Sequence, residues 1–517
     1  MMSLFIVLFF QNYFAQSNEL GTLEGIVLDG VNDLPLPNAV VKLFEIDKYD
    51  VSDKNGIFEF KLIPFGNYNV EVSFVGYKTE KTLININKEL NKGLIIHLFN
   101  LPIETSTIVV TGSHTTTKFD DMNEFINVLK GKELQREIGL TLASTLKNET
   151  GLAIRSMGPA PARPVIRGLG SDRIAITEDG IQTTDLSATS PDHAVSVEPF
   201  TIERVEVVRG PKVLLKNSTT MGGVVNIIRN EIPIEVPKSF TGNTGFYGET
   251  SNSGYLGAFV GQLPLGKFVF RSEVTYRKAN DLRTPNDVLK NSDIETNNYS
   301  AGVSFIDDWG FTGLSIREFN SDYGVPGGFV GAHPNGVNIS MLKRQINGKI
   351  NLKIDTESFE NIELQLSRDY YKHTEYERAD LIGAQFVIYN FRGSLDLSNK
   401  KLGLFDFGTS GISFEIRDFN IGGFVFTPPT KSLKVSSYSY QTFEVSDFSF
   451  EAAFRFSFDD FNPRFANPSS DPKFVIKRNF LTYSLSFSAL YSINKNLSAG
   501  INVNKSSRVP TIEELYS

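Results

Sequence analysis

Cysteine is absent from this chain of 517 residues, tryptophan occurs once and histidine five times. Without thiols, disulfide scaffolds and thiolate metal sites drop out. Beyond the N-terminus no run of about 20 apolar residues is present, and mean hydropathy is −0.14, which argues against a helical membrane protein. A formal net charge of −8 and a pI near 5.4 argue against nucleic acid as a partner. Enzyme motifs are missing too. There is no HExxH or HxxE pair, no G-x-S-x-G elbow and no Walker loop, and the stretch Gly168 to Asp172 lacks the glycine spacing of a dinucleotide fingerprint. No catalytic residue and no cofactor is expected, and the chain is not read as an enzyme.

Aromatic residues in alternation are abundant. Phe448, Phe450, Ala452, Phe454, Phe456 and Phe458 are separated by Ser449, Glu451, Ala453, Arg455 and Ser457. Successive side chains of a strand point to opposite faces, so this segment is greasy on one side and polar on the other. Leu481, Tyr483, Leu485, Phe487, Ala489 and Tyr491 repeat the pattern, and Phe268, Phe270, Val274 and Tyr276 follow it more loosely. A soluble sandwich accommodates one or two such strands. Many, separated by polar loops, point to a barrel with lipid outside and a wet lumen.

Ahead of this region the chain divides. Residues 1–16 read as a secretory signal, with a short apolar core from Leu4 to Phe10 and Ala15 near a cleavage site, although no basic residue precedes the core. Residues 21–100 alternate in short strands around two turns, Asp53 to Gly56 and Pro64 to Asn67, and predict a small β-sandwich. Residues 104–121 hold a β-branched run, Thr107, Ile108, Val109, Val110 and Thr111, between polar flanks. It is either the last strand of the sandwich, a linker, or an exposed strand that a partner pairs through its backbone. Residues 122–233 read as a small α/β domain. Leu134, Ile138, Leu142 and Leu146 predict one helix ending near Gly151, followed by short strands with Gly and Asp-Gly turns. Its arginines, Arg167, Arg173, Arg204, Arg209 and Arg229, together with Glu206, would pair with lumenal charges if the domain sat inside a barrel.

Two stretches resemble known modules. GIV-D, LPNAVV, D-NG-F-F, IP-GNY-V and VS-VGY together resemble the carboxypeptidase-regulatory-like domain, which often precedes outer-membrane receptors and implies no peptidase activity. PVIRGLGSDRIAITEDGIQ followed by IERVEVVRGPKVLLKNSTTMGGVVNIIRN resembles the plug of TonB-dependent outer-membrane receptors. The motif residues are Arg167, Gly168, Asp179, Gly180, Arg204, Glu206, Arg209 and Gly210. The resemblance implies that Thr107 to Thr111 is the TonB box, that the plug fills a 22-stranded barrel, and that the TonB complex powers uptake. The fold expected is therefore mainly β, with an N-terminal β-sandwich, a small α/β plug domain and a partial transmembrane antiparallel β-barrel at 235–517. About 280 residues leave room for roughly 10–14 strands. The family's terminal aromatic strand is missing, so the chain reads as an incomplete gene product.

Two loops are candidates for choosing the substrate. Asp185 to Pro199 carries adjacent Asp192 and His193, and Asp322 to Gly336 carries His333, with Tyr323 and Phe329 available to an organic chelate. Imidazole with carboxylate suits zinc and other borderline metals, whereas an isolated loop histidine is commonly just exposed. TSPDHAV and DYGVPG resemble TonB-dependent zinc receptors, but GGFVGAHPNG stands where those carry a His-rich run. The expectation is TonB-dependent transport of a scarce nutrient, a metal ion or metal chelate such as zinc or an iron siderophore, across the bacterial outer membrane. Its expected partners are the TonB complex and outer-membrane lipid. The alternative is a binding receptor for a non-metal nutrient, or an adhesin, without driven transport.

Overall fold

The computed structural model describes residues 20–30, 33–74, 77, 79–99, 126–217, 221–328, 336–354, 356–378, 381–423, 427–464, 473–494 and 497–516. The signal segment, Thr107 to Thr111, Phe329 and His333 lie outside the described residues. Two compact units are present, 1–106 and 107–517.

In the first unit, alternation yields two facing sheets. One orders the strands Ile57–Pro64, Leu20–Asp29 and Leu90–Leu98. The other orders Lys48–Val51, Val40–Leu43, Gly66–Ser73 and Glu80–Ile86. Val27, Phe58, Phe60, Val41, Val70 and Val72 fill the space between them. Each such side chain contributes about 1.5–3 kcal/mol on burial. The turn at Gly56 requires glycine: φ is +77° and a Cβ would stand 2.5 Å from the Val27 carbonyl. Asp53 fixes that turn by accepting from the amides of Asn55 and Ile57 at 2.8 and 2.9 Å.

The second unit is a small sheet enclosed by a large one. The small sheet runs Ile181–Gln182, Ile174–Glu178, Gly223–Ile228, Arg204–Val208 and Ile126–Lys130 in spatial order. The single helix expected across Leu134 to Leu146 is two, Gly131–Glu137 and Leu142–Thr145. Ile138 turns to ψ 120° ahead of Gly139, and Thr141 caps a new helix through a reciprocal bond with Ser144. Helical spacing survives this break because Leu134, Leu142 and Leu146 share one buried core and half-buried Ile138 packs against it.

The large sheet has 13 antiparallel strands in simple sequence order, from Thr241–Glu249 to Leu497–Lys505. This lies inside the range expected from length. Phe448, Phe454, Phe456 and Phe458 are exposed while Ser449, Glu451, Arg455 and Ser457 are buried. The same inversion, apolar out and polar in, holds for Phe268, Phe270 and Val274 against Arg271, Glu273 and Thr275. An apolar outer face over a polar interior suits lipid rather than water. No helix among the described residues is long and apolar enough to cross a membrane, which says nothing about strands.

One end of the sheet has short connections at 266–267, 308–309 and 446–447. The other has longer ones at 280–293, 326–336 and 464–477 beside short ones at 250–253 and 379–380. In barrels of this kind the longer loops face outward. The small sheet is a plug held by the wall through buried charge. Arg229, fully buried, donates to Glu178 at 3.0 Å, Thr201 at 2.6 Å and Glu273 at 3.4 Å. Lys343 donates to Glu178 at 2.8 Å, Arg317 to Glu273 at 3.3 Å, and Arg277 to Glu198 at 2.8 Å.

Candidate metal centre

The plug motifs serve the plug's own shape. Asp179 and Gly180 both have positive φ, +47° and +84°, and form the two-residue turn joining Glu178 to Ile181. The Asp179 carboxylate then accepts from the amides of Arg229 and Asn230 at 2.8 and 3.1 Å, tying the turn to the plug's exit. Arg167 and Gly168 form another positive-φ turn, and Gly210 also has positive φ, +77°. Arg204 pairs with buried Glu206 at 2.8 Å, and Arg209 donates to Asn127. None of these residues surrounds the histidine cluster.

Asp192 and His193 sit on a plug loop whose two arms are joined by Asp185. One Asp185 oxygen accepts from the amide and hydroxyl of Ser187 at 3.0 and 2.6 Å. The other accepts from the amide and hydroxyl of Ser196 at 3.2 and 3.1 Å. From the wall, the Tyr323 hydroxyl accepts from the Ala194 amide at 2.9 Å and donates to the Asp192 carbonyl at 3.2 Å. His193 is thus clamped on both sides. This corrects the expectation of a loop beginning at Asp322: the strand Gly310–Val325 continues through Tyr323, whose ring is buried and unavailable to a chelate.

Opposite His193, the strand Phe359–Arg378 presents His373 and Glu375, two residues apart and therefore on one face. His193 Nε2 lies 3.0 Å from Glu375 Oε1, and His373 Nε2 lies 3.4 Å from the same oxygen. The imidazole rings are 4.4 Å apart. Taken together, ligand atoms from the three residues fall within 4.8 Å of one another, and all three residues are buried. Asp192 is close by, with Oδ1 3.9 Å from His193 Nε2, but stands outside that triad.

Hydrogen bonding settles which nitrogens face inward. His193 Nδ1 is 3.1 Å from the Leu186 carbonyl, which only accepts, and 3.2 Å from the Thr189 hydroxyl, whose own hydrogen goes to that carbonyl at 2.7 Å, so Nδ1 carries hydrogen. Nε2 then meets a carboxylate oxygen. Between that nitrogen and Glu375 a positive centre is required, either a proton or a metal. With a proton, His193 is an imidazolium. Burial opposes that charge, but the Glu375 hydrogen bond and nearby Asp192 outweigh it and hold the group above its ordinary value. His373 Nδ1 is engaged by the Tyr371 hydroxyl at 3.1 Å, while its Nε2 is buried without a hydrogen bond. Partners on the outer nitrogen that leave the inner one bare are the usual support of a metal-binding imidazole. Tetrahedral zinc places ligand atoms about 3.3–3.5 Å apart, close to the spacing present. Half-buried Phe386 stands near both rings, 6.0 and 5.6 Å from them, and packs against an apolar cluster.

Comparison with known proteins bears on the two halves of the chain separately. A TonB-dependent Receptor Plug Domain matches residues 119–224, and a CarboxypepD_reg-like domain matches residues 23–110. The chain is 29% identical over 123 residues to a hemin receptor of Yersinia pestis, covering 23% of this chain and 18% of that protein. It is 26% identical over 230 residues to the vitamin B12 transporter BtuB of Photobacterium profundum, covering 42% of this chain and 37% of the transporter. These matches therefore span well under half of either relative. In fold, the copper transporter OprC superposes with a TM-score of 0.63 at 14% identity, over 75% of this chain and 64% of OprC. The siderophore receptor PiuA of Acinetobacter baumannii gives 0.59 at 14% identity, over 75% and 65%. These relatives are receptors and transporters, not enzymes.

Proposed function

We propose that this chain, whose plug matches the TonB-dependent receptor plug and whose wall shares the fold of such receptors, takes up a divalent transition-metal ion, zinc first, across the bacterial outer membrane. The observation that carries this reading is the buried His193, His373 and Glu375 triad, with an imidazole nitrogen left bare toward its centre. Two imidazoles and one carboxylate favour zinc or a neighbouring first-row ion over magnesium or calcium. Asp192, which accepts from the Ser190 hydroxyl, adds negative charge beside the triad, its Oδ1 3.9 Å from His193 Nε2. The ion enters from the longer loops and is held jointly by plug and wall. Because His193 comes from the plug and His373 and Glu375 from the wall, displacing the plug loop dismantles the site and releases the ion.

Coupling is assigned to Thr107, Ile108, Val109, Val110 and Thr111, a β-branched stretch that the TonB complex pairs and pulls. Force on a strand ahead of the plug unfolds that part of the plug whose stability is local. The test is radioactive zinc accumulation in a deletion strain complemented with the full gene. Zinc uptake that is lost in His373→Ala, and lost with retained binding when Ile108 to Val110 is removed, supports the reading. Uptake of a ferric chelate with indifference to zinc would replace it by the siderophore reading. Indifference to the Ile108 to Val110 deletion would favour a receptor or adhesin without driven transport.

A further inference from the structure

A cavity of about 100 Å³ lies between the plug and five adjacent wall strands, the first Phe359–Arg378 and the last Phe448–Pro463. The plug lends it the turn from Gly180 to Gln182 and the end of the short helix Val213–Lys216. Ser367 is the lining residue closest in sequence to His373 on their shared strand. At about 3.4 Å per residue the two stand roughly 20 Å apart, so this cavity is separate from the metal centre.

Four cations line the space, Lys216, Arg392, Lys434 and Arg455, against the single carboxylate of Glu415. Two of the four are answered. Arg392 donates to Glu415 and to Asp369, each at 3.1 Å. Lys434 is the cross-strand partner of both Glu415 and Asp459, and its Nζ stands 4.0 Å from Asp459. Lys216 and Arg455 have no carboxylate within 4 Å among the described residues. Arg455, deeply buried, donates only to neutral oxygens: the carbonyls of Leu214 and Leu215 at 3.0 and 3.1 Å and the Ser413 hydroxyl at 2.7 Å. Its Nε is buried without a hydrogen bond. Two further carboxylates near Lys216 are engaged elsewhere, Asp396 by the Tyr438 hydroxyl at 2.7 Å and Glu363 by Lys349 at 3.1 Å.

Two positive charges that face one enclosed space without carboxylates of their own call for a negative ligand and repel a metal cation. Guanidinium and ammonium groups make short, charge-assisted hydrogen bonds to phosphate oxygens. Arg455 Nη2 has a second hydrogen beyond the one given to Ser413, and the Ser413 hydroxyl keeps its own to donate. We propose that this cavity binds a small tetrahedral oxyanion of the phosphate type, held by Lys216 from the plug and by Arg455, Lys434 and Ser413 from the wall. The bound anion bridges the two bodies and keeps the plug seated. This goes beyond the uptake reading and is independent of the cargo held at the triad.

The test is calorimetric titration of the purified full-length receptor, stripped of metal and held in phosphate-free buffer, with inorganic phosphate. Saturable binding is expected, together with a melting temperature that rises with phosphate concentration. Lys216→Gln, whose loss strands no partner, is expected to weaken phosphate at least tenfold and to abolish that rise. Ser413→Ala, which removes one donor and no charge, is expected to weaken phosphate severalfold. Lys353→Gln, an exposed residue lining the neighbouring cavity of about 230 Å³, is expected to bind phosphate as the parent does. No phosphate binding by the parent overturns the site. Parental affinity in both Lys216→Gln and Ser413→Ala, or equal weakening in Lys353→Gln, overturns it as well. None of these outcomes bears on zinc at the triad, whose failure is read separately.

Discussion

Plug and wall meet in two buried polar places that differ in how complete they are. Around Arg229 and Glu273, cations and carboxylates from both bodies are interleaved, and each charge has an opposite within 3.4 Å. Around His193, a carboxylate faces two imidazoles, and His373 Nε2 has no hydrogen bond. The first arrangement pairs every cation with a carboxylate and belongs to stability. The second gathers two imidazoles and a carboxylate around one point and belongs to binding. Buried polar groups alone therefore do not mark a site; the convergence of metal-ligating side chains without an interleaved arginine or lysine does.

Mutation should separate the two places. Glu273→Ala strands Arg229 and Arg317 without their shared acceptor, and is expected to cost about 3–5 kcal/mol. Thermal unfolding followed by protease sensitivity of the plug checks this, and zinc affinity of the surviving folded fraction should be unaltered. His373→Ala should do the reverse. Calorimetric zinc titration is expected to show affinity falling about a hundredfold or more, with the melting temperature nearly unchanged. Asp185→Asn, which slackens both arms of the loop, is expected to weaken zinc about tenfold through misplacement of His193.

Acidity sharpens the contrast further. The metal must displace the proton that His193 holds above its ordinary value, for the reasons of burial offset by Glu375 and Asp192. Zinc affinity should therefore be full above that raised value and fall by up to about tenfold per pH unit below it. The metal-free protein behaves oppositely. The proton-mediated link between His193 and Glu375 stabilises it at low pH and is lost as pH rises through the raised value. Affinity that improves on acidification would contradict the assignment. Smallest of all, Gly180→Ala places a side chain at φ +84° and is expected to cost about 1 kcal/mol, read as a shift in melting alone.

The wall was legible because its signal is local: Phe448 to Phe458 alternate with polar residues, and no partner is needed to read that period. One helix across Leu134 to Leu146 is two because leucine spacing reports a shared buried face, while the break lies in Gly139 and in the Thr141 cap. His193 drew notice because histidine is scarce and an aspartate precedes it. His373 and Glu375 did not, since they stand 180 and 182 residues away and meet His193 only when the wall wraps the plug. The one local hint was His-Thr-Glu, two ligand types at strand spacing on a face that also carries Tyr371 and Asp369. His333 and the Thr107 to Thr111 segment fall outside the described residues, and their roles rest on sequence.

The most direct measurement of the central claim is X-ray absorption at the zinc edge on the purified, zinc-loaded receptor and its His373→Ala variant. The account predicts a first shell of two imidazole nitrogens with carboxylate oxygen near 2 Å in the parent, and one imidazole fewer in the variant. A shell of oxygens alone, or an identical spectrum for both proteins, would contradict it.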